Sequence, residues 1–137
     1  MENDKERKGL TKAIFRCDFC GESAATVEFV AKGVPHPNAL LNDAGAGTII
    51  ISGFYGLHRE VVMHRHFGVI MALIECNPRP LYAVDELWAP FYCPECDRSY
   101  CIKHWDIVLK FDNDFMPGWY DCSYGTCPKG HKRMVDD

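Results

Sequence analysis

With 137 residues, 47% of them hydrophobic and 25% charged, the chain has the composition of one folded domain and not of a disordered segment. A formal charge of −4 and a pI near 5.8 supply no basic face, so no nucleic-acid partner is expected. The opening run MENDKERKGLTK lacks the apolar stretch of a secretory signal, and no later run reaches the ~20 apolar residues of a membrane span, so the expectation is a cytoplasmic protein with no membrane partner.

Taken in chain order, residues 1–13 read as a solvated, frayed tail. FRCDFCGES follows, a C-x-x-C turn in which Gly21 suits the tight bend after the second cysteine. ATVEFVAKG alternates Val27, Phe29 and Ala31 with polar residues, the pattern of a half-buried strand. VPHPNALLNDAGAG is a loop, TIIIS a short buried strand, and EVVMHRH (60–66) a further strand after the turn SGFYGLH. FGVIMALIEC (67–76) fits a buried helix or a core strand, which periodicity does not separate; NPRP ends it, and Cys76 is read as an inert buried thiol. In KHWDIVLK (103–110), Trp105, Val108 and Leu109 are spaced as on a two-turn helix; FDNDFMPGWYD then turns into a short extended piece. The expected fold is α+β: a tail (1–13) and one zinc-stapled domain (14–137), with short strands and a helix inserted at 21–90 and a zinc-finger core at 91–137.

Eight cysteines in a reducing compartment point to metal rather than disulfides. Besides Cys76, the donors fall into four close pairs: Cys17/Cys20, Cys93/Cys96, Cys101/His104 and Cys127/His131, with Cys122 as an alternative ligand. Two residues between donors let one tight turn aim both at a single ion, and a structural zinc takes four thiolates or imidazoles in a closed tetrahedral shell. Four pairs make two Cys3His shells, hence two zinc ions. Two pairings compete. In the sequential one, Cys93, Cys96, Cys101 and His104 share an ion; in the alternating one, the first pair joins the third and the second joins the fourth. The alternating scheme closes the longer loops, where a cross-link constrains the unfolded chain most.

Two further features offer chemistry. His64 and His66, if on a strand, share a face, which admits a metal-dependent hydrolase; no carboxylate follows them closely. Aromatics at 91, 92, 100, 105, 119 and 120 surround the cysteines, either as a recognition surface or as a miniature core shielding the ions.

The text C-x4-YCIKHW … TCPKGHK, over residues 93–132 together with Cys17/Cys20, resembles a RING-type zinc finger. That resemblance implies cross-braced, alternating ligation and a ubiquitin-ligase-type scaffold that holds a ubiquitin-conjugating enzyme without a covalent intermediate. It also implies a partner surface: Phe19 inside the first C-x-x-C, Pro128 after Cys127, Lys132 after the last ligand, and Trp105 or Leu109 from the helix. The 72 residues between Cys20 and Cys93 (93 − 20 − 1), the C-x-x-C second pair and the C-x3-H last pair depart from the family's pattern. A non-catalytic zinc adaptor or regulatory subunit, unrelated to ubiquitin, is the alternative from another class.

Overall fold

The computed structural model describes residues 9–41 and 45–137. It is built mostly of strands, with a few short helical turns. Strands β1 (Leu10–Arg16), β2 (Ser23–Ala31), β3 (Gly47–Ser52) and β4 (Leu57–Val62) form an antiparallel sheet in sequence order. Alternation explains β1: Ala13, Phe15 and Cys17 are buried while their neighbours face solvent, so the strand delivers Cys17 as a member of its inner row. Residues 10–13 are thus half of a strand rather than tail; residues 1–8 lie outside the described residues. The strands expected at ATVEFVAKG (25–33) and TIIIS (48–52) are present as β2 and β3, with Val27, Phe29, Ile49 and Ile51 on the buried side.

The strand expected over 60–66 stops at Val62, and His64–His66 form a 3-10 turn. Helix α1 (Val69–Ile74) packs on β1, and α2 (Arg79–Val84) follows at once, with prolines in its first turn. Cys76 is exposed, contrary to the sequence reading. It ends α1 at a φ of +52°, with Asn77 N–H bonded to Ala72 O and Cys76 N–H to Leu73 O, and this left-handed cap swings it out of the apolar run.

The chain then forms a 3-10 turn at Glu86–Trp88, a two-residue hairpin of β5 (Tyr92–Cys93) and β6 (Arg98–Ser99), and a 3-10 turn at Ile102–His104. A second antiparallel sheet, in the order β7 (Asp106–Phe111), β8 (Tyr120–Thr126), β9 (Lys132–Asp136), completes the fold. The helix expected over 103–110 is therefore a turn followed by a strand. The i, i+3, i+4 spacing of Trp105, Val108 and Leu109 is outweighed by regular pairing of β7 with β8. Trp105 is buried at the junction, edge-on to Phe54 and Tyr100. Gly125 makes room for it: a Cβ there would come within 2.9 Å of the indole. One apolar cluster runs from Ala13 through Phe29, Trp88 and Trp105 to Val135, so regions 21–90 and 91–137 share a core.

Candidate metal centres

Four turns carry the paired donors. After β1, the Cys17 N–H bonds to Glu22 O at 2.7 Å and the Gly21 N–H to Cys17 O at 2.8 Å, a knuckle closed by Gly21 at a φ of +77°. Asp97, after Cys96, takes the same left-handed conformation at +55°. At the last pair, the N–H groups of Lys129 and His131 point at Cys127 Sγ, at 3.3 and 3.4 Å.

The turns meet in twos, in the alternating order. Cys17, Cys20, Cys101 and His104 form one group, and Cys93, Cys96, Cys127 and His131 the other; within each, the donor atoms all lie within 4.8 Å of one another. In the first, His104 Nδ1 is 3.1 Å from Cys101 Sγ and 3.5 Å from Cys17 Sγ, and Cys20 and Cys101 Sγ are 3.7 Å apart. In the second, His131 Nδ1 is 3.2, 3.4 and 3.5 Å from the sulfurs of Cys96, Cys127 and Cys93, and Cys96 and Cys127 Sγ are 3.8 Å apart. A tetrahedral ion with metal–sulfur bonds of about 2.3 Å and metal–nitrogen bonds of about 2.0 Å sets sulfurs about 3.8 Å apart and a sulfur and nitrogen about 3.5 Å apart. Each Cys3His group can hold one metal ion, and both are compatible with zinc.

Electrostatics show what such an ion would offset. Burial raises the Cys17 thiol, but the backbone N–H groups of Cys101, Cys20 and Phe19 overcome it and bring the pKa down to about 6. Burial likewise opposes, and the N–H groups of His131 and Lys129 win, at Cys127, lowered to about 7. At Cys20 the Glu22 N–H lowers the pKa, while burial, bonds to Cys101 and Cys17 and the charge on Cys17 push it up to about 11. Cys93 is pushed up to about 12 by burial first, then by its thiol neighbours Cys96 and Cys127. Each group thus forms a first thiolate readily and resists a second until a cation is present. Outside the donors, His131 Nε2 lies 3.4 Å from Glu95 Oε2, the carboxylate–imidazole arrangement that orients a ligating histidine. Lys103–Glu22 and Arg98–Asp18 pairs, both at 3.1 Å, tie the first knuckle to the Ile102–His104 turn and to β6.

The remaining sequence candidates scatter. Cys122 is buried on β8 and belongs to neither group. His64 and His66 join no metal-ligand group among the described residues; at three residues per turn, positions i and i+2 point apart, and His66 sits edge-on to Trp88. Of the expected partner residues, Phe19 is 65% exposed, resting on the His104 ring, and Pro128 is exposed. Both line one open groove of about 610 Å³, with Lys103, His104 and Gly130. Trp105 also borders it but is 4% exposed, with its indole N–H on Tyr100 O, which makes it chiefly a core residue. Leu109 lies on β7 and Lys132 on β9, the lysine 4.9 Å above the Tyr124 ring; neither borders the groove.

Sequence reasoning missed Arg133. Its guanidinium donates to the carbonyls of Glu86, Ala89 and Tyr92 at 2.7–2.8 Å and stacks on Tyr82, clamping β9 to the segment that enters the second group. A lone arginine in a basic run gives no signal of such a partner.

Fold and donor geometry together define a strand-rich domain with two Cys3His groups, each able to hold a metal ion and compatible with zinc. The chain belongs to the family described as Domain of unknown function (DUF8328), which it matches over residues 6–137. No curated protein and no solved structure matches it. No helix among the described residues is long and apolar enough to cross a membrane.

Proposed function

We propose that this chain is a cross-braced, two-zinc protein-docking module acting in the cytoplasm, and that its partner binds the groove between the two centres. The observation that carries this reading is the groove's composition. His104 belongs to the first Cys3His group and Phe19 lies between its donors Cys17 and Cys20, while Cys127 belongs to the second and Pro128 and Gly130 lie in the turn between Cys127 and His131, so an ion in each group would fix the separation of the walls. Zinc supplies a closed, redox-inert shell, and the chain's own turns present the docking side chains. Ordering is completed at folding, so binding costs less loop entropy.

In its finer form the reading is RING-type: the partner is a ubiquitin-charged conjugating enzyme, and the module a scaffold for transfer. Phe19 and Pro128 on one groove support this. Against the same version, β7 stands where the resemblance implied a helix, and Lys132 is engaged with Tyr124. These two departures favour a second reading, a zinc adaptor or regulatory subunit outside ubiquitin transfer.

The test is discharge of ubiquitin from a panel of charged conjugating enzymes by zinc-loaded chain, beside Phe19→Ala and Pro128→Ala with zinc content measured. The expected result is two ions retained and discharge reduced about tenfold or more in each variant, the usual size of losing a hot-spot side chain. Transfer that persists in both variants refutes the groove. A wild-type chain that accelerates no discharge, yet cross-links a partner through a photoreactive residue at position 19, is the adaptor.

A further inference from the structure

Four strands form the edges of the two larger sheets, and three are managed by something beside them. Against β1 lies α1, and Cys76 Sγ bonds Ile14 O at 3.4 Å. On β4, Arg59 and Glu60 put charges at the middle of the edge, and Glu60 accepts from Trp88 Nε1 at 3.0 Å. Strand β9 is held by Arg133 to the carbonyls of Glu86 and Ala89 at the 3-10 turn before β5. The fourth, β7, is different. It pairs with β8 on one side and with no strand on the other among the described residues. Its sequence DIVLKF is apolar, yet Val108, Leu109 and Phe111 are 57%, 47% and 50% exposed. The irregularity in its pairing with β8 places the extra residue, Asp121, on β8, so β7 itself stays regular. A regular, apolar, exposed edge is a template for another strand.

We propose that the occupant is β7 of a second copy of this chain, paired antiparallel about a two-fold axis at Val108. Charge complementarity selects this occupant and this register. With Val108 opposite Val108 of the second copy, residues summing to 216 face each other: Asp106 meets Lys110, and Ile107 meets Leu109, each twice by symmetry. Cross-strand pairs on one face are then either opposite in charge or apolar, the arrangement that stabilises antiparallel strands. A slip of one residue sets Asp106 against Leu109 in one direction (sum 215) or Lys110 against Ile107 in the other (sum 217), and turns one copy's side chains to the wrong face. Lys110, which would by itself blunt an edge against pairing, thereby becomes the residue that fixes register. The product is one continuous six-stranded sheet, β9-β8-β7 followed by the same strands of the second copy in reverse.

The experiment is sedimentation equilibrium of the zinc-loaded full chain, beside Asp106→Lys, Lys110→Asp and the double variant carrying both changes. The wild type is expected to sediment at about twice the 15.6 kDa chain mass. Either single change sets like charges opposite each other at two symmetric places and should weaken the dimer about tenfold or more, whereas the double variant restores the pairing and should return to within about threefold of wild type. Zinc content and far-ultraviolet circular dichroism, unchanged in all three variants, separate this outcome from misfolding. A wild type that stays monomeric at 100 μM (~100-fold above a 1 μM dissociation constant), or single variants that dimerise as wild type does, overturns the proposal. So does a double variant that fails to recover while remaining folded. Asp106 also borders the groove of Phe19 and Pro128, whereas Lys110 does not, so ubiquitin discharge by the Lys110→Asp variant keeps failure of this reading distinguishable from failure of the docking reading.

Discussion

In the β1–β4 sheet, Val27, Phe29, Ile49, Ile51 and Val62 are all 2% exposed or less, and strands of six to nine residues hold one another in register through long apolar rows. Between residues 92 and 105 the paired elements shrink to two residues in β5 and β6, and the buried positions are Tyr92, Cys93, Tyr100, Cys101 and Trp105. Both regions face the same loss of backbone entropy on ordering. The sheet meets it with area removed from water; the ligand-bearing segment has too little regular structure for that and carries donors able to meet it by coordination. The lesson is that one chain can join both strategies in a single core, with Phe15 of β1 stacked on Phe91 at 4.9 Å across the seam.

The largest test of that contrast is metal removal. A strong chelator, or Cys93→Ser and Cys101→Ser separately, should abolish amide protection across 92–131, because the binding free energy of a structural zinc, about 10–16 kcal/mol in small fingers, is folding free energy there. Amides of β2 and β3 should remain the best protected. Equal loss at Phe29 and Tyr92 would show a single cooperative unit and erase the contrast. Acid should act in the same direction. In the metal-free chain, the lowered pKa values of Cys17 and Cys127 contribute stability above the ordinary thiol value of 9.0, and this is lost as pH falls through about 7 and about 6. The raised values of Cys20 and Cys93 contribute below 9.0 and are lost as pH rises toward about 11 and 12. Metal binding requires thiolates, so zinc followed with a chromogenic chelator should be released on the acid side.

A smaller effect is expected from the sheet. Phe29→Ala empties the centre of its apolar row and should cost about 3–5 kcal/mol in denaturant unfolding, with two ions still bound by the folded fraction. Loss of stoichiometric metal from that fraction would show that coordination depends on the sheet. Smallest of all, Arg98→Ala removes an exposed ion pair to Asp18 and should change stability by about 0–1 kcal/mol, less still in high salt.

What could be read in advance follows the same divide. Donor spacing depends only on local turn geometry, so Cys17/Cys20 and Cys127/His131 stood out, and loop closure favoured the alternating pairing. Strands β2 and β3 announced themselves because each buries a row against the core. Strand β7 did not: as an edge it leaves side chains of both faces exposed, so its residues show no period of two, and Trp105, Val108 and Leu109 mimicked a helix. Strand β1 was hidden because its alternation ends in Cys17, which reads as a ligand before it reads as an inner-row residue. The fate of His64 and His66 turned on where β4 stops, a boundary set by tertiary packing rather than by local sequence.

Interleaved ligation also orders events as the chain is synthesised. Cys17, Cys20, Cys93 and Cys96 all emerge before Cys101, and none of the first two shares its ion with either of the next two. A chain synthesised as far as Tyr100 therefore carries two of the four donors of each group, all of them thiols, and neither group is complete. An ion taken up by those four thiols at that stage would have to pass to its final shell by thiolate exchange once Cys101 and His104 had been added.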